Sequence, residues 1–261
     1  MTLLLDLGNS RLKAALGLPG GGIRLLGETR HRERGLDAAL AAVLASASPV
    51  GGGAALCANV AGAAAGRALA EALRARGWGA VEFLRARPEA AGVHCAYAEP
   101  AHLGADRWAA LLGARGLTDG TCLVVDAGSA LTVDAMGPGG RHLGGWIIPG
   151  LGMMLEALEA RTGDLRALRQ ASESGPADAF PTDTGPAMDE GIRLAAAGAV
   201  RLARARLEAH CGMPARLLVT GGDARVLTTL LKDAEHVPEL VLRGLARHAV
   251  ETPGQGSLNG S

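Results

Sequence analysis

The chain opens on an unbroken apolar run, Leu3-Leu4-Leu5, that ends in Asp6-Leu7-Gly8, and the pattern returns as Leu123-Val124-Val125 ending in Asp126-Ala127-Gly128. The two aspartates lie 120 residues apart (126 minus 6). A short apolar run bounded by a glycine-bearing turn predicts a strand buried on both faces. Strand-like segments follow each run, at 12–16 and 23–27 in the first case and at 131–136 and 142–148 in the second. Each half then turns to helical spacing. Leu36, Leu40, Val43 and Leu44 share one helical face, and a strand over 54–60, a helix over 63–76 and a strand over 81–84 follow. Trp108, Leu111 and Leu112 fall on another helical face. In the second half the spacing predicts helices over 151–160 and from about Pro186 to His210. A strand over 216–220 then breaks at Gly221-Gly222, and helices follow near 224–231 and 240–249. Pro186 suits a first helical turn, and Asp189 and Glu190 suit the positive end of the helix dipole.

Strands followed by alternating helices and strands, twice over, predict an α/β protein of two similar halves, 1–118 and 119–250, with a cleft between them. The stretch 166–184 lacks periodicity and reads as a loop, and the polar, glycine-rich tail 251–261 reads as disordered. A length of 261 residues allows one large or two modest domains.

Composition narrows the function. Hydrophobic residues make up 48% and charged residues 20%, so the chain can build a core, but aromatics are only 2% and the core must be aliphatic. The formal net charge is zero, from 26 basic and 26 acidic residues, and one Tyr and two Phe cannot form a stacking platform, which argues against nucleic-acid binding. Cys57, Cys95, Cys122 and Cys211 form no C-x-x-C pair and suit a reducing compartment. Neither a signal-peptide pattern nor a run of 18 apolar residues is present, so the expected protein makes no membrane contact and is cytoplasmic.

The two turns offer chemistry. In Asp6-Leu7-Gly8-Asn9-Ser10, glycine lets the backbone pass close to a phosphate, and amides and the Ser10 hydroxyl can donate to its oxygens. Asp6 can hold a hydrated magnesium ion, and Lys13 on the next strand could reach the same anion. The alternative is an ordinary hairpin turn, for which Gly-Asn is favoured. A second Asp-x-Gly-Ser at Asp126–Ser129 favours the phosphate reading, since two such turns can hold one triphosphate. Gly221-Gly222-Asp223 is a third turn at a strand end, suited to a nucleoside lying on backbone or to a plain strand-to-helix connection. No Walker P-loop or G-x-G-x-x-G fingerprint occurs. Gly104-Ala105-Asp106-Arg107 stands before a helical face; Asp106 is either a helix N-cap or a general base, with Arg107 as a fork for an anion or carbonyl.

Together these segments resemble the type III pantothenate kinases over nearly the whole chain. The resemblance is carried by Asp6-Leu7-Gly8-Asn9-Ser10-Arg11-Leu12-Lys13, Gly104–Arg107 and Asp126-Ala127-Gly128-Ser129-Ala130-Leu131-Thr132. Gly144-Gly145-Trp146-Ile147-Ile148-Pro149-Gly150, Asp183-Thr184 with Gly191, and Thr220-Gly221-Gly222-Asp223-Ala224 complete it. Each motif is short, but their order and spacing are specific. The resemblance implies the actin-like, sugar-kinase-like ATPase fold of two ribonuclease-H-like halves. It also implies ATP-dependent phosphorylation of pantothenate, the first step toward coenzyme A. By position, Asp6, Leu7, Gly8, Asn9, Ser10, Arg11, Leu12 and Lys13 would hold ATP with its magnesium, helped by Ser129. Gly104, Ala105, Asp106 and Arg107 would bind pantothenate with Tyr97 and Thr184, Asp106 accepting the proton. Asp126 would ligate a monovalent cation, potassium or ammonium, and the enzyme would be a homodimer.

Ser10 and Ser129 stand where the family commonly has threonine; serine keeps the hydroxyl donor. Tyr97 could also be a half-buried loop aromatic, and Thr184 could cap the long helix. His94 and His102 read as exposed loop residues rather than metal ligands, since no third ligand has suitable spacing. Two rival functions stay open at this level. One is a non-catalytic, nucleotide-binding regulatory relative, against which the Asp106-Arg107 pair argues. The other is a kinase of the same fold acting on a sugar or acetate.

Overall fold

The computed structural model describes residues 2–49, 52–161 and 180–251. The loop expected over 166–184 falls outside the described residues as far as 179, as does the tail from 252. In chain order the elements are β1 (Thr2–Leu7), β2 (Arg11–Gly17), β3 (Ile23–Arg30), α1 (His31–Arg34), α2 (Leu36–Val43), β4 (Ala55–Asn59), α3 (Ala63–Ala75), β5 (Val81–Phe83), β6 (Glu89–Ala90), β7 (Val93–His94) and α4 (Ala105–Arg115). They continue as β8 (Cys122–Ala127), β9 (Ala130–Gly137), β10 (Arg141–Pro149), α5 (Leu151–Arg161), α6 (Thr184–Cys211), β11 (Arg216–Thr220), α7 (Ala224–Leu230), β12 (Ala234–His236) and α8 (Leu240–Glu251). Two compact units result. The first takes the chain up to Gly120, Met136–Gly144 and the chain from Glu239 on; the second takes Thr121–Ala135 and Gly145–Pro238.

In the first unit the sheet order is β3-β2-β1-β4-β5. β1 runs antiparallel to β2, and β2 to β3, whereas β4 and β5 add parallel. Parallel neighbours need a crossover, which α2 and α3 supply. Because side chains alternate along a strand, Leu3, Leu5 and Leu7 share one face, where they pack with Leu40 and Val43 of α2 and Leu69 and Leu73 of α3. Leu4 points the other way and is buried as well, on the side of β1 where α8 packs. Burial on both faces accounts for the unbroken leucine run.

The helix carrying Asp106 is anchored from behind. α4 buries Trp108, Leu111 and Leu112, the two leucines each worth about 1.5–3 kcal/mol of apolar transfer, and lies against α8. The approach is close enough that a Cβ on Gly244 would land on the Ala109 carbonyl, and one on Gly113 would overlap the Leu240 carbonyl. Two short strands, β6 and β7, were not evident in the hydrophobic pattern. β7 pairs with β10 through His94 and Arg141. His94 thus lies in a strand rather than a loop; it is exposed, with Nδ1 3.4 Å from Glu89.

The second unit repeats the plan, with neighbours in the order β10-β9-β8-β11-β12, and β11 parallel to both β8 and β12. Leu123 and Val125 of β8, Leu217 and Val219 of β11, Ala196, Val200 and Leu207 of α6 and Leu227 of α7 are all buried, and both helices lie against β8. α6 starts two residues before Pro186, because the Asp183 carboxylate accepts the Thr184 amide at 2.6 Å and caps the helix. Thr184 is therefore the first helical residue, and Asp183 is the cap. The four cysteines are unpaired thiols; Cys57 and Cys122 are buried, Cys95 and Cys211 half-buried.

Candidate functional site

Asp6 and Asp126 occupy the same place in the two sheets, the fifth residue of the central strand. Asp6 is in register with Lys13 on β2 and Ala58 on β4, and Asp126 with Thr220 on β11. Both turns close as hairpins, the Gly8 amide donating to the Arg11 carbonyl at 3.0 Å and the Gly128 amide to the Ala130 carbonyl at 3.1 Å. Hairpin geometry and an exposed polar turn coexist here: Asn9 and Ser129 are exposed, with Ser10 half-buried.

Residues that sequence reasoning missed hold the first turn. His31, at the start of α1, donates through Nε2 to the Gly8 carbonyl at 2.8 Å, and its amide donates to the Ser10 carbonyl at 3.2 Å. Glu239, just before α8, lies 3.3 Å from Lys13 Nζ, and its backbone adopts a φ of 60°, unusual for a residue with a side chain. Glu28 lies 3.9 Å from the same ammonium and pairs with Arg11 at 2.7 Å. The Lys13 charge is thus set beside two carboxylates. Neither His31 nor Glu239 belongs to a motif, and only the folded chain brings them to the turn.

The second turn is tied to two neighbours in its own unit. The Gly150 amide donates to the Ser129 carbonyl at 3.2 Å, and the Asp223 amide to the Ala127 carbonyl at 2.9 Å. Gly221 has a φ of +96°, and a Cβ there would overlap Asp126 Oδ1 and the Ala127 backbone. Glycine at 221 thus meets two needs, a left-handed backbone and direct approach to the Asp126 carboxylate. Among the described residues, no group of three or more His, Cys, Asp or Glu is placed to hold a metal ion, and His102 is exposed on a single 3-10 turn.

Around α4 the structure brings Tyr97, Asp106 and Arg107 together. Gly104 is the N-cap residue, so Asp106 is not; it lies in the first turn, and its Oδ1 accepts the Arg107 amide at 2.7 Å. The guanidinium of Arg107, a residue only 5% exposed, donates from Nη1 to the Tyr97 hydroxyl at 3.0 Å, with Cζ 5.8 Å from the ring centroid. Behind Tyr97 stands His142 of β10, 2% exposed, its ring stacked on that of Tyr97 at 6.0 Å and 15°. The Ala96 amide donates to His142 Nδ1 at 3.4 Å. The arrangement offers a carboxylate at a helix N-terminus beside an Arg–Tyr pair, suited to a polar substrate with hydroxyl and carbonyl groups. Thr184 lies in the second unit at the start of α6.

A sheet order used twice, with an Asp-x-Gly turn after each central strand, defines the class: the actin-like, sugar-kinase-like ATPase fold. Solved structures agree. The chain superposes on a protein described as a 2-dehydro-3-deoxygalactonokinase from Sinorhizobium meliloti with a TM-score of 0.59, at 15% identity, covering 95% of this chain and 98% of that one. A Baf family transcriptional activator from Campylobacter jejuni gives 0.57 at 24% identity, over 95% and 96% of the two chains. Such likenesses establish the fold alone. The family is set by sequence: the profile of the type III pantothenate kinases matches residues 2–206. The type III pantothenate kinase of Azoarcus sp. is 41% identical over 94% of this chain and 89% of its own length. That of Nitrosococcus oceani is 34% identical over 97% and 95%. The chain belongs to the type III pantothenate kinase family.

Proposed function

We infer that this protein transfers the γ-phosphoryl group of ATP to the primary hydroxyl of pantothenate, giving 4'-phosphopantothenate and ADP at the entry to coenzyme A biosynthesis. The observation that carries this is 41% identity to a type III pantothenate kinase over 94% of this chain, which also holds both acidic turns and the Gly104–Arg107 segment. In the proposed mechanism the pantothenate oxygen attacks the γ-phosphorus, the bond to the β–γ bridging oxygen breaks, and Asp106 takes the hydroxyl proton. Positioning and charge neutralisation do most of the work in such transfers.

Residues Asp6 to Lys13 and Ser129 are assigned to ATP, and Tyr97, Gly104, Ala105, Asp106, Arg107 and Thr184 to pantothenate. Magnesium carried by the phosphates could be met by Asp6, since this ion keeps waters and takes one or two carboxylates. It would neutralise charge on the phosphates. Asp126 is assigned to a monovalent cation, potassium or ammonium; the bare backbone of Gly221 beside its carboxylate, where a Cβ would not fit, supports this. A homodimer is proposed on the apolar exposure of Leu194 and Leu202 on α6, at 47% and 51%; light scattering showing only monomer would exclude it. A cytoplasmic site of action is proposed, in keeping with an enzyme of coenzyme A biosynthesis; no described helix is long and apolar enough to cross a membrane.

The test is a coupled ATP-consumption assay with pantothenate against a panel of alcohols and sugars. Turnover should require pantothenate, and Asp106→Asn should lower it by about 10² to 10⁴ while nucleotide still binds. Near-normal turnover in that variant would remove Asp106 from the role of base.

A further inference from the structure

We propose that His142 is a positioning residue for the pantothenate subsite, setting the Tyr97 ring and, through it, the guanidinium of Arg107. This inference rests on the proposed substrate role of Tyr97 and Arg107.

His142 belongs to none of the segments that carry the family resemblance, yet it is 2% exposed in a core that is otherwise almost wholly aliphatic. Burying an imidazole costs free energy unless its polar atoms are satisfied. A long hydrogen bond that also ties the ring to the loop carrying Tyr97 offsets part of this cost. The Ala96 amide donates to Nδ1 at 3.4 Å, so Nδ1 carries a lone pair and the ring is anchored one residue before Tyr97. The backbone of β10 sets the height of the ring, because the adjacent Arg141 is in register with His94 of β7. One face of the imidazole then lies nearly parallel to Tyr97, with centroids 6.0 Å apart and 15° between planes. Offset aromatic pairs of this kind restrict ring rotation as well as adding contact.

Tyr97 passes the constraint on. Its hydroxyl oxygen accepts Arg107 Nη1 at 3.0 Å, and its ring lies 5.8 Å from the same guanidinium. Arg107 itself follows Asp106, whose Oδ1 holds the Arg107 amide. A swing of the Tyr97 ring would therefore turn the guanidinium assigned to pantothenate, while leaving the ATP turn at Gly8 to Ser10, held by His31, as it was. His142 should act on pantothenate and not on nucleotide.

The test is steady-state kinetics of His142→Ala, His142→Phe and Tyr97→Ala, with pantothenate and ATP varied in turn. In His142→Ala the KM for pantothenate should rise about tenfold, with the KM for ATP within twofold of wild type. His142→Phe keeps a ring against Tyr97 but offers the Ala96 amide no acceptor, so it should recover part of the loss; it also serves if the alanine variant fails to fold. The double variant Tyr97→Ala/His142→Ala should bind pantothenate no worse than Tyr97→Ala alone. An unchanged pantothenate KM in His142→Ala, or an equal rise in both KM values, overturns the inference. If Tyr97→Ala raises the pantothenate KM and His142→Ala does not, only the role of His142 fails. If Tyr97→Ala itself leaves that KM unchanged, the assignment of Tyr97 to the substrate fails, and this inference with it.

Discussion

Replacing Gly104 with alanine places a Cβ 2.7 Å from Asp106 Oδ1, where ordinary contact begins near 3.4 Å. The backbone does not resist the change, since Gly104 has φ −53° and ψ 138°, angles open to alanine. The atom that must yield is the end of a side chain, so the Asp106 carboxylate moves by about 0.7 Å and strains its 2.7 Å bond from the Arg107 amide. A hydrogen bond to a charged group is worth about 1.5–3 kcal/mol, but Asp106 is half-buried and water replaces part of it. Alanine is also a poorer N-cap than glycine, by about 1 kcal/mol or less. At roughly 2–4 °C per kcal/mol for a chain of this size, the melting temperature should fall by only a few degrees. The chemistry should suffer more, because misplacing a reacting group by about 1 Å can cost about 10²-fold. We therefore expect kcat to fall about 10- to 100-fold in the coupled assay, with the KM for ATP little changed. The Asp106→Asn background provides the control: adding Gly104→Ala there should cost almost nothing further. Equal losses in both backgrounds, or a folded Gly104→Ala variant within twofold of wild-type kcat, would refute the link between Gly104 and the carboxylate.

Two further expectations concern the framework. Gly244→Ala drives a Cβ into the Ala109 carbonyl, a backbone atom inside α4, so the helices must part; the urea midpoint should drop by an amount equivalent to about 1–3 kcal/mol or more, and an unchanged midpoint would contradict the packing of α8 on α4. Burial pushes the Cys57 and Cys122 thiols from 9.0 up to about 12, so a thiol reagent should label Cys95 and Cys211 in the native protein and reach the buried pair only after unfolding. Because the folded values lie above the unfolded one, the stability these thiols contribute is present below about pH 9 and is lost as pH rises from there toward 12; denaturation midpoints that stay flat across that window would contradict it.

The pattern of leucines and valines determined most of the fold. Local periodicity specifies which segments are strands, and a strand buried on both faces has little choice but to be apolar throughout, as β1 and β8 are. The Asp-x-Gly pattern after each was legible for the same reason, since a tight turn and a carboxylate are local properties of consecutive residues. Tertiary structure decided what no window of sequence contains. His31 reaches Gly8 across 23 residues, and Glu239 reaches Lys13 from the far end of the chain. β7 is two residues long and exists because β6 and β10 pair with it. Asp106 read equally as a cap or a base until the helix start at Gly104 placed it in the first turn, where its carboxylate binds the next amide. Sequence fixes each residue's chemistry and its local geometry; partners distant in the chain are chosen by packing, which depends on every layer at once.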